Sequence, residues 1–167
     1  MKRFCVFVFC YLFLICYCKG QNNEVLFDKY NNPRYNTLIC DFDFVTALDT
    51  NTCQNLYSLK ADSIYVFFYD PFCEHCHREI KLLKKNKQLN KAIKDSSLVI
   101  LSIAPDIDYN TWQKYVKKMP KQWLNAYSFE NEKIIKTLLW KVPELFVLDR
   151  QKRIVHIDMY RQDLEDE

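Results

Sequence analysis

The chain has 167 residues, 49% of them hydrophobic and 16% aromatic, which suits one folded domain and excludes a disordered tail. Of its 24 basic residues, three lie in the first 20 positions, which hold no acidic residue, so the other 21 balance the 21 acidic ones. This neutral balance argues against nucleic-acid binding or an electrostatic membrane partner, and the single glycine excludes glycine-rich phosphate loops.

The first 20 residues have the pattern of an export signal. Lys2 and Arg3 precede an uncharged stretch over residues 4–18, and the small residue Gly20 follows. A basic start, an apolar stretch and a small-residue exit are typical of a secretory signal peptide, and the apolar stretch is short for a membrane span. We therefore expect residues 1–20 to direct export, either as a cleaved signal or as a retained anchor.

Residues 21–40 predict an irregular lead-in, because they are rich in Asn and Tyr and contain the breaker Asn31-Asn32-Pro33. The folded domain is expected over residues 41–167. At its start, residues 41–45 alternate between polar and apolar side chains, as a half-buried strand does. After a polar turn, residues 53–59 can return as a second strand, so an N-terminal β-hairpin is predicted.

A buried strand and a helix are predicted next. Residues 64–69 form a continuous β-branched and aromatic run, typical of a strand covered on both faces. Asp70-Pro71 ends it, and from Cys73 onward apolar residues recur at helical spacing between lysines. One amphipathic helix is expected there, with Ile80, Leu82, Leu83, Leu89 and Ile93 as its apolar positions.

The second half of the chain continues the alternation of strands and helices. Two helices are predicted, one capped by Asn110 and one opening at Asn131. The predicted strands cover residues 98–104, 123–127, 145–148 and 154–157. Strands that alternate with helices and then close in a hairpin predict an α/β fold of three layers, with a mixed central sheet flanked by helices.

Two cysteines carry the clearest chemical signal. Cys73 and Cys76 stand three apart directly after the predicted buried strand, on the first turn of a helix, which is the context of a C-x-x-C redox motif. A helix N-terminus stabilises a thiolate, the nucleophile of disulfide exchange, at Cys73. Cys76, one turn further in, is then the resolving thiol. A protonated His75 would favour the thiolate, and Glu74 would oppose it, so both tune the redox balance.

These features together resemble the thioredoxin family. The chain has a strand, a C-x-x-C at a helix start and Val142-Pro143 just before a late strand. The run over residues 68–76, F-Y-D-P-F-C-E-H-C, is similar to the exported TlpA/ResA-like branch, over roughly residues 42–157. The resemblance implies a thiol-disulfide oxidoreductase without a cofactor, in the periplasm or on the outer side of the inner membrane. Its partners would be protein substrates with a disulfide or dithiol and an upstream redox protein, and the chain would act as a monomer.

The resemblance also implies roles for individual residues. Cys73 matches the attacking cysteine and Cys76 the resolving one, and the two form a disulfide when oxidised. Glu79 matches the acidic residue that ResA-like proteins place three positions after the second cysteine, with a catalytic role in proton transfer. Phe67 stands where ordinary thioredoxins have a buried aspartate, which leaves Glu79 as the expected proton shuttle.

A substrate-binding surface follows from the same resemblance. Pro143 matches a cis-proline whose loop faces the disulfide and offers backbone groups to an extended substrate. Phe72, in place of the usual tryptophan before the motif, and Val142 beside the proline are the other expected substrate contacts.

Other interpretations remain open from the residues alone. The domain could bind partners through the Pro143 loop without redox chemistry. Cys73 to His77 also spell C-x-x-C-H, the attachment motif of a c-type haem. No metal is expected, because a structural zinc site usually needs four ligands and no second ligand pair lies nearby. Cys40 and Cys53 are expected to be separate thiols, with a second disulfide as the alternative.

Overall fold

The computed structural model describes residues 35–139 and 141–159. The predicted signal over residues 1–20, much of the lead-in and the last residues of the predicted domain lie outside these ranges. The described elements are β1 (Asp43–Thr46), β2 (Gln54–Asn55), β3 (Ser63–Phe68), α1 (Glu74–Lys85), α2 (Lys87–Lys94), β4 (Leu98–Ile103), α3 (Tyr109–Tyr115), β5 (Leu124–Tyr127), α4 (Asn131–Thr137), β6 (Glu144–Asp149) and β7 (Ile154–Met159).

The strands form one mixed sheet in the order β2-β1-β5-β4-β3-β6-β7. The central strands β3, β4 and β5 run parallel, because a helix or a helix pair connects each to the next. The outer pairs are antiparallel, among them the predicted hairpin, in which Phe44 of β1 lies opposite Gln54 of β2. The predicted α/β class with a mixed central sheet is confirmed.

Strand β3 is buried on both faces, as its apolar run predicts. On one face, its side chains share a buried cluster with side chains from α4 and from the residue that follows α4: Ile64, Val66, Phe68, Ile134 and Leu138. On the other face, Phe67 and the following Tyr69 belong to a second cluster, against which Leu83 of α1 and Ile93 of α2 pack. The sheet is therefore the middle of three layers.

The single helix predicted after Cys73 is two helices in the structure. The backbone of Asn86 is extended, and its side-chain oxygen accepts hydrogen bonds from the N–H groups of Gln88 and Leu89, at 3.0 and 3.1 Å. This N-cap begins α2 and ends the continuous ladder of α1. Leu82, predicted as an apolar contact, is 61% exposed.

Helix α3 begins two residues earlier than predicted. Asp108, not Asn110, is its N-cap, and the Asp108 carboxylate accepts a hydrogen bond from the N–H of Thr111 at 3.0 Å. The helix packs on β1 and β5, where Trp112 is buried with Val45 and Tyr127 and its ring lies 5.6 Å from that of Tyr127. No helix among the described residues combines the length and apolar character needed to cross a membrane.

Cys40 and Cys53 are separate free thiols, as expected from the residues. Cys53 is exposed just before β2, whereas Cys40 is half-buried before β1. The register of the hairpin continues from Phe44 opposite Gln54, which places Cys53 level with Val45 of β1 rather than with Cys40.

Candidate active site

The turn between β3 and α1 positions the cysteine pair. The Asp70 carboxylate accepts a hydrogen bond from the N–H of Phe72 at 2.7 Å, and the Asp70 carbonyl accepts one from the N–H of Cys73 at 3.1 Å. Cys73 is the N-cap of α1, with an extended backbone, and its Sγ accepts a hydrogen bond from the N–H of Cys76 at 3.3 Å. The Cys73 sulfur therefore occupies the place where helix N–H groups are unpaired and favour negative charge.

Cys76 lies one turn further along α1 and is fully buried. The backbone N–H of Asp70 donates a hydrogen bond to its Sγ at 3.4 Å. Burial raises the pKa of the Cys76 thiol strongly, and the hydrogen bond from Asp70 opposes this shift only in part. Both sulfurs are unbonded, so the Cys73–Cys76 disulfide implied by the resemblance is not formed here and the structure shows the dithiol.

Glu79 and Pro143 line the same small cleft, of about 50 Å³. The cleft lies between α1 and the β6–β7 end of the sheet, and the other residues that line it are Phe67, Glu144, Leu145 and Asp158. Burial raises the pKa of the Glu79 carboxyl, and the negative charge of Asp158 raises it further. A carboxyl of this kind exchanges its proton closer to neutral pH than an exposed glutamate does.

Pro143 lies at the same end of the sheet as the cysteines. Glu144 pairs with Phe68 at the end of β3, so Pro143, one residue earlier, is level with the start of the turn that carries Cys73. The Val142–Pro143 peptide bond is cis. Val142 is half-buried and packs against the same cluster as Cys73.

The two proposed tuning residues differ in their surroundings. Glu74 is exposed in the first turn of α1. His75 is half-buried, and its Nδ1 contacts the guanidinium of Arg78, one turn along the helix. A guanidinium can only donate a hydrogen bond, so Nδ1 is the acceptor in this contact. Arg78 therefore brings a positive charge close to His75, on the same helix as the cysteine pair.

Phe72 is 65% exposed beside the cysteine pair. Its ring forms an edge-to-face contact with that of Tyr115, the last residue of α3, with 5.0 Å between ring centroids and 70° between ring planes. Sequence reasoning expected Phe72 to contact substrate. The structure brings these two aromatic rings together at the surface next to Cys73.

Three site residues escaped the sequence analysis: Tyr69, Glu144 and Asp158. The apolar run predicts only a strand position for Tyr69, but burial and the negative charge of an ionised Cys76 both raise the pKa of its hydroxyl. Glu144 is fully buried directly after Pro143. Asp158 pairs with Leu145 across the closing β6–β7 hairpin. The pairing register of that predicted hairpin is the signal from which the position of Asp158 near Glu79 could be inferred.

The geometry also bears on haem and metal binding. A c-type haem needs thioether bonds to both cysteines, and Cys76 has no exposed surface, which disfavours the C-x-x-C-H interpretation. In the part of the chain that the structure describes, no three His, Cys, Asp or Glu side chains are grouped so that they could hold a metal ion.

Comparison with known proteins agrees with this geometry. A family model described as thioredoxin-like matches residues 61–154, which include β3, the cysteine pair and Pro143. No curated protein matches the chain.

Solved structures give the same picture of the fold. A thioredoxin-like protein from Bacteroides caccae is 30% identical with a TM-score of 0.68; the match covers 80% of this chain and 48% of that one, so this chain spans about half its length. A conserved protein of unknown function from Bacteroides fragilis is 26% identical, with a TM-score of 0.67 and coverage of 80% and 97%. The thioredoxin domain of a thiol-disulfide oxidoreductase from Bacteroides vulgatus is 16% identical, with a TM-score of 0.65 and coverage of 80% and 94%, and shares the fold.

Proposed function

The chain belongs to the thioredoxin-like family, and on that premise we propose that it is a thiol-disulfide oxidoreductase acting on protein substrates. The observation that carries the proposal is the asymmetry of the cysteine pair. The Cys73 sulfur is partly exposed at the N-terminus of α1, whereas the Cys76 sulfur is buried one turn behind it. An accessible nucleophile backed by a protected thiol is the arrangement that two-step disulfide exchange requires.

The exchange proceeds in two steps in the reducing direction. The Cys73 thiolate attacks one sulfur of a substrate disulfide; a Cys73–substrate S–S bond forms, the substrate S–S bond breaks and the departing thiolate takes a proton. Cys76 then loses its proton and attacks the Cys73 sulfur, which forms the Cys73–Cys76 bond and releases the second substrate thiol. Two electrons pass to the substrate, and a dithiol of an upstream protein returns them to the pair.

Glu79 is the group that takes the proton from Cys76. It follows Cys76 by three residues, so both lie on one face of α1. The buried Cys76 thiol holds its proton tightly, and its attack on the mixed disulfide therefore needs a base. The raised pKa of Glu79 suits that role better than an ordinary exposed carboxylate would.

Substrate contacts come from the surface around Cys73. Phe72 is exposed on one side of the cysteine, and the Val142-Pro143 loop lies on the other, at the end of the sheet. The proposal places this surface outside the cytoplasm, in the periplasm or its equivalent, because residues 1–20 have the pattern of an export signal and disulfides persist in oxidising compartments.

A redox titration tests the function. The protein is equilibrated in glutathione buffers of graded potential and alkylated, and its intact mass is measured. We expect one pair of thiols to oxidise reversibly in the wild type and in Cys53→Ser, which lacks an exposed thiol outside the site. The same transition should vanish in Cys73→Ser. Thiols that stay reduced at every potential would refute the redox proposal in favour of a non-catalytic binding domain.

A further inference from the structure

A second cavity is lined by residues that precede and follow the cysteine pair in the chain, among them Pro71 and His77. It is a mostly apolar cavity of about 160 Å³ between α1 and the chain from the end of α3 to Met119. Ile80 and Met119 give it apolar walls, the ring of Tyr115 forms one side and Tyr69 lines it from the end of β3. His77, one turn after Cys73 on α1, also lines the cavity. We call this cavity the Tyr69 pocket.

The Tyr69 pocket carries an unsatisfied polar group. Tyr69 is 98% buried, and within the described part of the chain its hydroxyl has no hydrogen-bond partner. A buried hydroxyl without a partner costs free energy, so its presence in a folded protein calls for a ligand or another polar group that completes it.

The rim of the Tyr69 pocket is basic. Lys118 lines the pocket and lies over the Tyr115 ring, with 4.7 Å between its Nζ and the ring centroid. Residues 109–123, which run from α3 past this rim, contain four lysines and no acidic residue. On the α1 side, Arg78, Glu79 and Lys81 flank the lining residues His77 and Ile80, and Asp70 lies between Tyr69 and Pro71, so basic residues outnumber acidic ones around the pocket. An acidic partner is therefore favoured at this surface.

The exposed Phe72 ring connects the pocket to the nucleophile. Phe72 directly precedes Cys73 and meets Tyr115, which is itself a wall of the Tyr69 pocket. A substrate chain whose sulfur is bonded to Cys73 can thus reach the pocket with a neighbouring side chain.

We propose that the Tyr69 pocket binds a large aromatic side chain of the substrate protein, next to the cysteine under attack and flanked by acidic residues. The inference rests on the proposed disulfide exchange and adds to it the class of substrate sequence. Apolar walls favour a large apolar side chain, the unpartnered Tyr69 hydroxyl favours one with a polar tip, and the lysines favour acidic neighbours. This contact is separate from those made by the Val142-Pro143 loop.

The test compares three short peptides, each closed by its own disulfide. One has Tyr-Asp beside a cysteine, one has Ala-Asp and one has Tyr-Lys at the same positions. We expect kcat/KM for reduction to be about tenfold higher for Tyr-Asp than for Ala-Asp. The advantage of Tyr-Asp over Tyr-Lys should shrink as salt is added, because the rim charges are exposed and screened.

Two variants with the same change of charge test whether Lys118 causes the preference for Tyr-Asp over Tyr-Lys. Lys118→Glu should reverse the order of Tyr-Asp and Tyr-Lys, while Lys87→Glu, at the exposed start of α2, should keep the wild-type order. Equal kcat/KM for the three peptides, in a protein that reduces glutathione disulfide, would overturn the pocket assignment alone. A protein that reduces neither the peptides nor glutathione disulfide would refute the proposed function itself.

Discussion

The backbone N–H of Asp70 donates a hydrogen bond to the Sγ of Cys76, 3.4 Å away, across the turn from β3 to α1. This contact ties the buried sulfur to the loop that also positions Cys73, whose N–H donates to the Asp70 carbonyl. The two sulfurs thereby differ in exposure although they are only three residues apart.

Alkylation of the native protein should reveal that difference. With iodoacetamide, Cys53 and Cys73 should react first, and Cys76 at least about tenfold more slowly, because its sulfur is reached only through local opening. Mass mapping of peptides at successive times measures each rate. In urea the three rates should converge. Labelling of Cys76 in the native protein as fast as Cys73 would contradict the described burial.

Loss of the resolving thiol should trap the intermediate. In a Cys53→Ser background, Cys76→Ser treated with glutathione disulfide should keep one glutathione bound at Cys73, because no buried thiol remains to displace it. Intact mass before and after reduction measures the adduct. The Cys73→Ser variant in the same background is the control, and it should carry no adduct at the motif. An adduct-free Cys76→Ser would show that Cys73 is not the attacking cysteine.

Glu79 should make stability depend on pH. Its pKa is raised in the folded state by burial and by Asp158, so the folded protein retains this proton at pH values where the unfolded chain, with an ordinary pKa of about 4.3, has lost it. The favourable contribution of the protonated form is therefore lost as pH rises from about 4.3 through the folded pKa. Gln does not ionise, so Glu79→Gln avoids this loss. Its free energy of unfolding should therefore rise relative to that of wild type as the pH increases through this range.

Urea unfolding between pH 4 and pH 7 provides the measurement. Glu132→Gln, on the exposed face of α4, is the matched control and should follow the wild-type pH profile apart from a small constant offset. A Glu79→Gln profile parallel to that of wild type would mean that the Glu79 carboxyl is not perturbed.

Tyr69→Phe should not destabilise the protein. The variant removes a buried hydroxyl that has no hydrogen-bond partner among the described residues, so the free energy of unfolding should stay constant or rise by up to about 1 kcal/mol. Tyr57→Phe is the contrasting variant, because the Tyr57 hydroxyl donates to the Ile39 carbonyl at 2.6 Å; it should lose about 1 kcal/mol. Equal losses in urea unfolding would show that the Tyr69 hydroxyl is already paired.

Phe146→Ala should cost far more than a surface truncation. Phe146 is fully buried in β6, and its ring meets that of Phe68 edge to face, with 6.0 Å between centroids. We expect a loss of about 3–5 kcal/mol from lost burial and the cavity that remains. Leu82→Ala, on the exposed side of α1, should stay within about 0.5 kcal/mol. Similar losses for the two variants, measured by urea unfolding, would argue against the described core.

The sequence predicted those features that depend on neighbouring residues. Local signals include the apolar run of β3, the breaker Asp70-Pro71 and the two cysteines on the next helical turn. Successive side chains of a strand point to opposite faces, so Phe67 and Phe68 lie on different sides of the sheet. The mixed sheet also followed, because the order of strands and helices restricts the connections that a chain can make. Local signals failed where two choices are nearly equal: Asp108 and Asn110 are both good N-caps, and Asn86 divides a helix whose periodicity continues beyond it.

Only the tertiary structure brought the surroundings of the cysteines together. Asp158 lies near Glu79 because of the register of β6 and β7, and Tyr115 contacts Phe72 because α3 packs on β1 and β5. These contacts join segments tens of residues apart, so no local pattern encodes them. The local sequence defines the cysteine pair and places Glu79 on the same helix, and the packing of distant elements decides which charged group and which pocket lie beside them.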